Sequence, residues 1–196
     1  MTVETFIRRY TFNKPDICKD IINWFEEHKE LQDDGCIYMP DGTRHIRKEI
    51  KESTTIFIPL HEAYGYKCLA KFLDWLWTCV NEYIQEFSEL NGIAFSMTEP
   101  FNIQKYTPPT GGFKQFHLER QSVATSRRLL VFMLYLNNIE DQGGTEFKYY
   151  KHTEKAEEGK LLIWPPDFTH THRGIVSSTE TKYIITGWYS LSEDYG

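Results

Sequence analysis

Apolar positions along the chain change their period near its middle. In the first half, residues 5–12 alternate like a short strand, and Pro15 then opens a helix, its fixed φ suited to the first helical position and Asp16 placed in the first turn. Ile21, Ile22, Trp24 and Phe25 give that helix one apolar face, to about Glu30. Residues 31–52 are charged and turn-rich, with Asp33-Asp34-Gly35 and Pro40-Asp41-Gly42, and predict a loop long enough to act as a lid; residues 54–59 read as a second short strand. Leu69, Phe72, Leu73, Leu76, Val80, Tyr83, Ile84 and Phe87 recur every three or four positions, which predicts a long helix from about Tyr64 to Leu90. Asn91-Gly92 stops it, and Trp75 and Trp77 read as its packing residues.

From residue 93 onward, short runs rich in β-branched and aromatic residues replace the helical period. They fall at 93–106, 112–119, 127–136, 145–150, 160–164, 168–173 and 181–191, separated by turns such as Pro108-Pro109-Thr110-Gly111-Gly112, Asp141-Gln142-Gly143-Gly144, Glu158-Gly159 and Pro165-Pro166-Asp167. So many strands in so short a stretch imply an antiparallel two-sheet jelly roll. The expected class is α+β: a jelly-roll core (a double-stranded β-helix) over residues 93–191, with supporting helices in residues 1–92 covering one sheet from outside. No repeat or linker divides residues 1–196, so one domain is expected.

Composition narrows the class. A chain of 196 residues with 40% hydrophobic and 15% aromatic residues can bury a core without disulfides and is not disordered. A net charge of -6 argues against a phosphate-backbone partner, so nucleic acid is not expected. Cys18, Cys36, Cys68 and Cys79 form no CxxC pair, which reads as buried thiols in a reducing compartment and disfavours a cysteine-built zinc site. Residues 1–9 lack an export pattern, and the richest apolar window, 68–80, is interrupted by Lys71, Asp74 and Thr78. A soluble, cytoplasmic protein with no membrane partner is the expectation, with its oligomeric state open. No glycine-rich nucleotide fingerprint is present in the sequence.

Candidate chemistry concentrates at three residues. His117 and Glu119 stand at i and i+2, which on an extended strand places both side chains on one face. His172 adds a second imidazole from a distant segment. Two imidazoles and one carboxylate suit non-haem iron(II), capping one face of the metal and leaving other positions open. His170 competes with His172, since on one strand both point the same way. Gly174 and the Ser177-Ser178-Thr179 turn favour His172, because they let the next strand return and bring Lys182 alongside it as a cation for a carboxylate-bearing cosubstrate. His28, His45, His61 and His152 lack a patterned carboxylate neighbour and read as ordinary histidines. Arg120, Arg127 and Arg128 read as a solvated strand edge, and Glu146 as part of the Gly143-Gly144 turn.

Four ordered blocks between about residue 98 and residue 191 carry a resemblance. They are Gln104-Lys105-Tyr106 leading to His117-Leu118-Glu119; Phe132-Met133-Leu134-Tyr135-Leu136-Asn137 with Gly143-Gly144-Thr145-Glu146-Phe147; Gly159-Lys160-Leu161-Leu162-Ile163-Trp164-Pro165; and His172 followed by Lys182 and Trp188. Together they resemble the catalytic core of the 2-oxoglutarate- and iron(II)-dependent dioxygenases of prolyl 4-hydroxylase type. Family members mostly carry Asp where this chain has Glu119, which keeps the charge and the oxygen donor and adds a methylene.

The resemblance implies Fe(II) held by His117, Glu119 and His172, with 2-oxoglutarate and O2 as cosubstrates and ascorbate as an optional reductant. It implies that Lys182 holds the far carboxylate of 2-oxoglutarate, that Tyr135 donates a hydrogen bond to it, and that Tyr106 and Trp188 wall the pocket. The implied reaction hydroxylates a prolyl or other amino-acid residue in a peptide or protein, with 2-oxoglutarate decarboxylated to succinate. Two alternatives stay open: the same chemistry on a free amino acid or small metabolite, and a cupin-like module that binds metal and dicarboxylate without turnover.

Overall fold

The computed structural model describes residues 5–39 and 43–193, so the Pro40-Asp41-Gly42 turn lies outside the described residues. An antiparallel sheet of eight strands carries the fold. Its order is Arg8–Thr11, Lys160–Trp164, Arg128–Tyr135, Lys182–Leu191, Phe101–Tyr106, Thr54–Ile58 and Asp33–Asp34, with Phe95–Ser96 paired to the far end of Lys182–Leu191. A smaller sheet joins His152–Glu154, Thr145–Phe147 and His172–Gly174. Lys51–Glu52 pairs with Gly112–Phe113, Ile37–Tyr38 with Arg44–His45, and His117 makes a single bridge to His172.

Alternation along the central strands explains why they read as almost continuously apolar. Leu130, Phe132 and Leu134 share one cluster with Leu161, Ile163, Ile185, Phe101 and Ile103, and this face is covered by the helices Pro15–Glu27 and Lys67–Glu86. Val131, Met133 and Tyr135 point the opposite way, into a second cluster with Leu162, Trp164, Ile184, Tyr106 and Phe147 of the smaller sheet. Burial on both faces removes the polar half of the usual strand pattern. The result is a jelly roll with helices packed outside its larger sheet.

Several elements differ from the sequence expectation for local reasons. The long helix spans Lys67–Glu86, since Pro59 starts a separate turn at Leu60–Ala63 and Gly65 interrupts before Tyr66. Ser88–Leu90 continues only as a 3-10 turn. Trp75 packs against Phe12 with ring centroids 4.4 Å apart, but Trp77 is 49% exposed and is not a core residue. The stretch 31–52 is more than loop, because Asp33–Asp34, Ile37–Tyr38, Arg44–His45 and Lys51–Glu52 each find a partner. The 168–173 run is split: Phe168–His170 is a 3-10 turn and only His172–Gly174 is extended. The 112–119 run likewise keeps its pairing only at Gly112–Phe113 and His117. Among the described residues, no helix is long and apolar enough to cross a membrane.

Candidate metal and cosubstrate site

Reciprocal backbone hydrogen bonds between His117 and His172, at 2.9 and 3.0 Å, clamp two distant segments together. Each ring is then fixed from behind. His117 Nδ1 lies 2.9 Å from the Gln115 carbonyl and His172 Nδ1 2.9 Å from the His170 carbonyl. A carbonyl can only accept, so both Nδ1 atoms carry a proton and both Nε2 atoms face inward. There they meet Glu119 Oε1, at 3.5 Å from His117 Nε2 and 3.4 Å from His172 Nε2. All three ligand atoms fit within 4.8 Å of one another, the one group of this kind among the described residues. The Phe113 ring stacks on His117 at 3.6 Å, and Trp164 and Phe147 close around His172.

The other carboxylate oxygen of Glu119 is held away from the centre. Trp188 Nε1 donates to Oε2 at 3.1 Å, and Arg128 reaches Oε2 at 3.4 Å and the Glu119 carbonyl at 2.9 Å. Arg128 also grips Glu99 in a fork, at 3.0 and 2.5 Å, and lies 3.6 Å from the Trp188 ring centroid. This brace uses the extra methylene of Glu119: the longer side chain spans from its backbone to the imidazoles with one oxygen tied and the other free. Burial alone would push its carboxyl upward, but the two imidazoles outweigh that and hold it well below the usual carboxylate range. Burial, reinforced by His172, keeps His117 below the ordinary imidazole value. A charged carboxylate beside a neutral imidazole is the protonation state that metal binding needs.

The brace was not expected from sequence. Of the three arginines read as a solvated edge, only Arg127 is exposed, paired with Glu193. Arg120 holds Asp167 through both oxygens at 2.7 Å, and Arg128 is buried in the site. Loosening the support of a ligand costs about 10- to 100-fold in metal affinity. Arg128→Met is therefore expected to weaken cobalt(II) binding by about that factor, read by absorbance titration, while the far-ultraviolet circular dichroism spectrum stays that of the parent.

Behind the donors lies a small cavity of about 80 Å³. Strand pairing assembles it: Lys182 stands opposite Tyr106, Ile184 between Gln104 and Tyr135, and Thr186 between Asn102 and Met133. Lys182 Nζ donates to the Gly143 carbonyl at 2.6 Å and the Ile175 carbonyl at 3.3 Å, and sits 5.0 Å from the Tyr106 ring centroid. Gly143 has φ +64°, where a Cβ would also strike Ile139, so glycine is what lets this turn present its carbonyl to the ammonium. Among the described residues no carboxylate pairs with Lys182, and burial pushes its pKa down to about 8. The Tyr135 hydroxyl meets Thr145 Oγ1 at 2.6 Å, and the Tyr106 hydroxyl donates to Gln104 Oε1 at 2.5 Å. Trp188, expected as a pocket wall, lines the cavity and also orients Glu119.

The cavity adjoins an open groove of about 500 Å³. His117, Glu119 and Trp188 line both, and Cys36, Ile37 and Met39 from the 31–52 stretch form part of the outer wall. The donors thus sit at the junction of a small chamber and a larger one.

Residues 101–190 match the family model described as 2OG-Fe(II) oxygenase superfamily, a family whose chemistry uses iron(II), 2-oxoglutarate and O2. Among curated proteins, no sequence relative matches the chain. Solved structures do. A prolyl-4-hydroxylase from Pseudomonas putida aligns with a TM-score of 0.71 at 16% identity, over 96% of this chain and 94% of that one. A viral collagen prolyl hydroxylase from Paramecium Bursaria Chlorella virus-1, solved as a 2OG complex, gives 0.63 at 16% identity, over 98% and 99%. A prolyl hydroxylase from Trichoplax adhaerens, solved with a hypoxia inducible factor oxygen degradation domain peptide fragment, gives 0.70 at 15% identity, over 95% and 84%. At these identities the structural likeness speaks for the fold, and the family match speaks for the chemistry. Residues 101–190 thus carry the match to the 2-oxoglutarate- and iron(II)-dependent oxygenase superfamily, and the chain as a whole has a fold of prolyl hydroxylase type.

Proposed function

We propose that the protein is a dioxygenase that hydroxylates a prolyl or other amino-acid residue in a peptide or protein, converting 2-oxoglutarate to succinate and carbon dioxide. One observation carries this reading: the residues of one small cavity include three convergent metal ligands and a buried ammonium, Lys182, that has no carboxylate partner among the described residues. When bound there, iron(II) with 2-oxoglutarate supplies the oxidation of an unactivated C–H bond by O2.

The side chains divide the remaining work. His117, Glu119 and His172 are assigned as the metal ligands. Lys182 is assigned to the far carboxylate of the cosubstrate, with Tyr135 turning its hydroxyl from Thr145 to donate a second, charge-assisted hydrogen bond. Tyr106 and Trp188 wall the chamber, and the buried side chains of Trp164 and Met133 line it with apolar surface that disfavours water. A groove of about 500 Å³ adjoins the donors, and the Trichoplax adhaerens structure was solved with a peptide, which supports a peptide substrate here.

Anaerobic addition of iron(II) and 2-oxoglutarate should raise a visible charge-transfer band, and admitting O2, with ascorbate as reductant, should yield succinate. A band followed by no oxygen consumption, with or without candidate peptides, would replace the enzyme by a metal and dicarboxylate binder. No band at all would remove both readings.

A further inference from the structure

The wall between the small cavity and the groove holds two polar side chains with unmet demands. Lys51, Asn102, Phe113, His117, Glu119 and Trp188 line both spaces. The polar groups of His117, Glu119 and Trp188 are engaged with one another, with Gln115 and with Arg128. Lys51 is not so engaged. It is 7% exposed and, among the described residues, its ammonium has neither ion pair nor hydrogen bond; the Phe113 ring lies 5.4 Å away, and the Glu119 carboxylate, engaged with Trp188 and Arg128, acts on it only from beyond ion-pair distance. Asn102 is 4% exposed, and its buried side-chain oxygen also lacks a partner.

Strand geometry explains how this arises. Lys51 and Glu52 are consecutive in a strand and so point to opposite sides. Glu52 faces outward to Lys114 at 3.2 Å, while Lys51 turns in beside its cross-strand partner Phe113. Lys48, also outside, finds Asp34 at 3.8 Å. The outer cations have carboxylates in ion-pair contact; among the described residues the inner one has none at that range. A buried ammonium without a counter-ion is costly and rarely kept unless something pairs with it.

We propose that Lys51 binds a carboxylate of the substrate at the mouth of the chamber, so that the substrate is a carboxylate-bearing amino-acid unit, with Asn102 available to accept a substrate N–H. The inference rests on the oxygenase reading above and adds the charge of the group recognised. The carboxylate comes either from a chain end or from an acidic side chain.

The test uses the full chain with zinc(II), which is redox-inert, and saturating 2-oxoglutarate to fill the inner cavity. Dissociation constants are measured by ligand-observed NMR for matched probes. N-acetylproline and N-acetylleucine against their primary amides report a main-chain carboxylate, and N-acetylglutamate α-amide against N-acetylglutamine amide reports a side-chain one. In at least one pair the acid should bind about tenfold or more tightly than its neutral partner, as expected for a charge-assisted hydrogen bond. Lys51→Met should close that gap, Lys51→Arg should keep it, and neither should change 2-oxoglutarate affinity. Equal binding of acid and amide, no binding by any probe, or a gap that survives in Lys51→Met would overturn the proposal. So would weakened 2-oxoglutarate binding in Lys51→Met, which would place Lys51 in the cosubstrate site. Failure of the parent to bind zinc(II) and 2-oxoglutarate would instead bring down the oxygenase reading beneath it.

Discussion

Alanine at His172 is expected to lower both cobalt(II) affinity and succinate formation by about a thousandfold, equivalent to roughly 4 kcal/mol of lost binding, whereas His170→Asn should leave both within a few-fold of the parent. The two histidines are two residues apart, yet the structure gives them separate environments. His172 presents Nε2 to Glu119 at 3.4 Å, with Nδ1 already committed to the His170 carbonyl. The His170 ring faces elsewhere, with Nε2 against the Tyr150 hydroxyl at 3.1 Å and Nδ1 against Thr169 at 2.9 Å. Burial lowers its pKa to about 4, so it is a neutral packed ring at working pH. What His170 gives the site is its main-chain carbonyl, which asparagine supplies equally well. Cobalt(II) titration followed by a succinate assay on both variants checks the pair. Retained metal binding in His172→Ala, or equal losses in the two, would remove His172 from the ligand set.

That pair also shows where sequence reasoning reaches its limit. Alternation on a continuous strand would aim both histidines the same way, but the 3-10 turn Phe168–His170, closed by the Asp167 carbonyl, ends the alternation before His172. The choice between them was legible only through downstream spacing to Lys182. Where strands are regular, the pattern was enough: Lys182, Ile184, Thr186 and Trp188 share parity, and all four line the cavity. The two-sided burial of Arg128–Tyr135 was visible as an apolar run.

Arg128 was hidden by an irregularity. By parity it belongs with Leu130 and Phe132 on the helix-covered face, but the register slips between Arg128 and Leu130 and the bulge re-aims it towards Glu119. The strand His152–Glu154 was also missed, since two of its three residues are exposed and polar, and pairing with Thr145–Phe147 rather than hydrophobicity defines it. Lys51 looked like one more charge in a charged loop. Only the pairing of Lys51–Glu52 with Gly112–Phe113 shows which of the two faces inward.

Lys182→Met is expected to raise the dissociation constant of 2-oxoglutarate by about a hundredfold or more, the loss of one or two charge-assisted hydrogen bonds in a dry cavity. Cobalt(II) affinity without 2-oxoglutarate should stay near the parent value, because Lys182 touches none of the three donors. The melting temperature should fall little or rise, since the substitution removes a buried cation whose only hydrogen-bonding partners among the described residues are the carbonyls of Gly143 and Ile175. The pH dependence separates function from stability by sign. With the pKa lowered to about 8 by burial, 2-oxoglutarate affinity should be flat below that value and weaken by about tenfold per pH unit above it. Stability should move the other way. The unfolded chain keeps Lys182 protonated to about pH 10.4, so between roughly 8 and 10.4 it binds more protons than the folded one, and this group's contribution to stability rises with pH. Calorimetric titration and thermal melts across that window, on parent and Lys182→Met, read both slopes, and the variant should lose both. A parent whose 2-oxoglutarate affinity is unchanged from pH 7 to 10, or a variant that binds as tightly as the parent, would show that another group holds the far carboxylate.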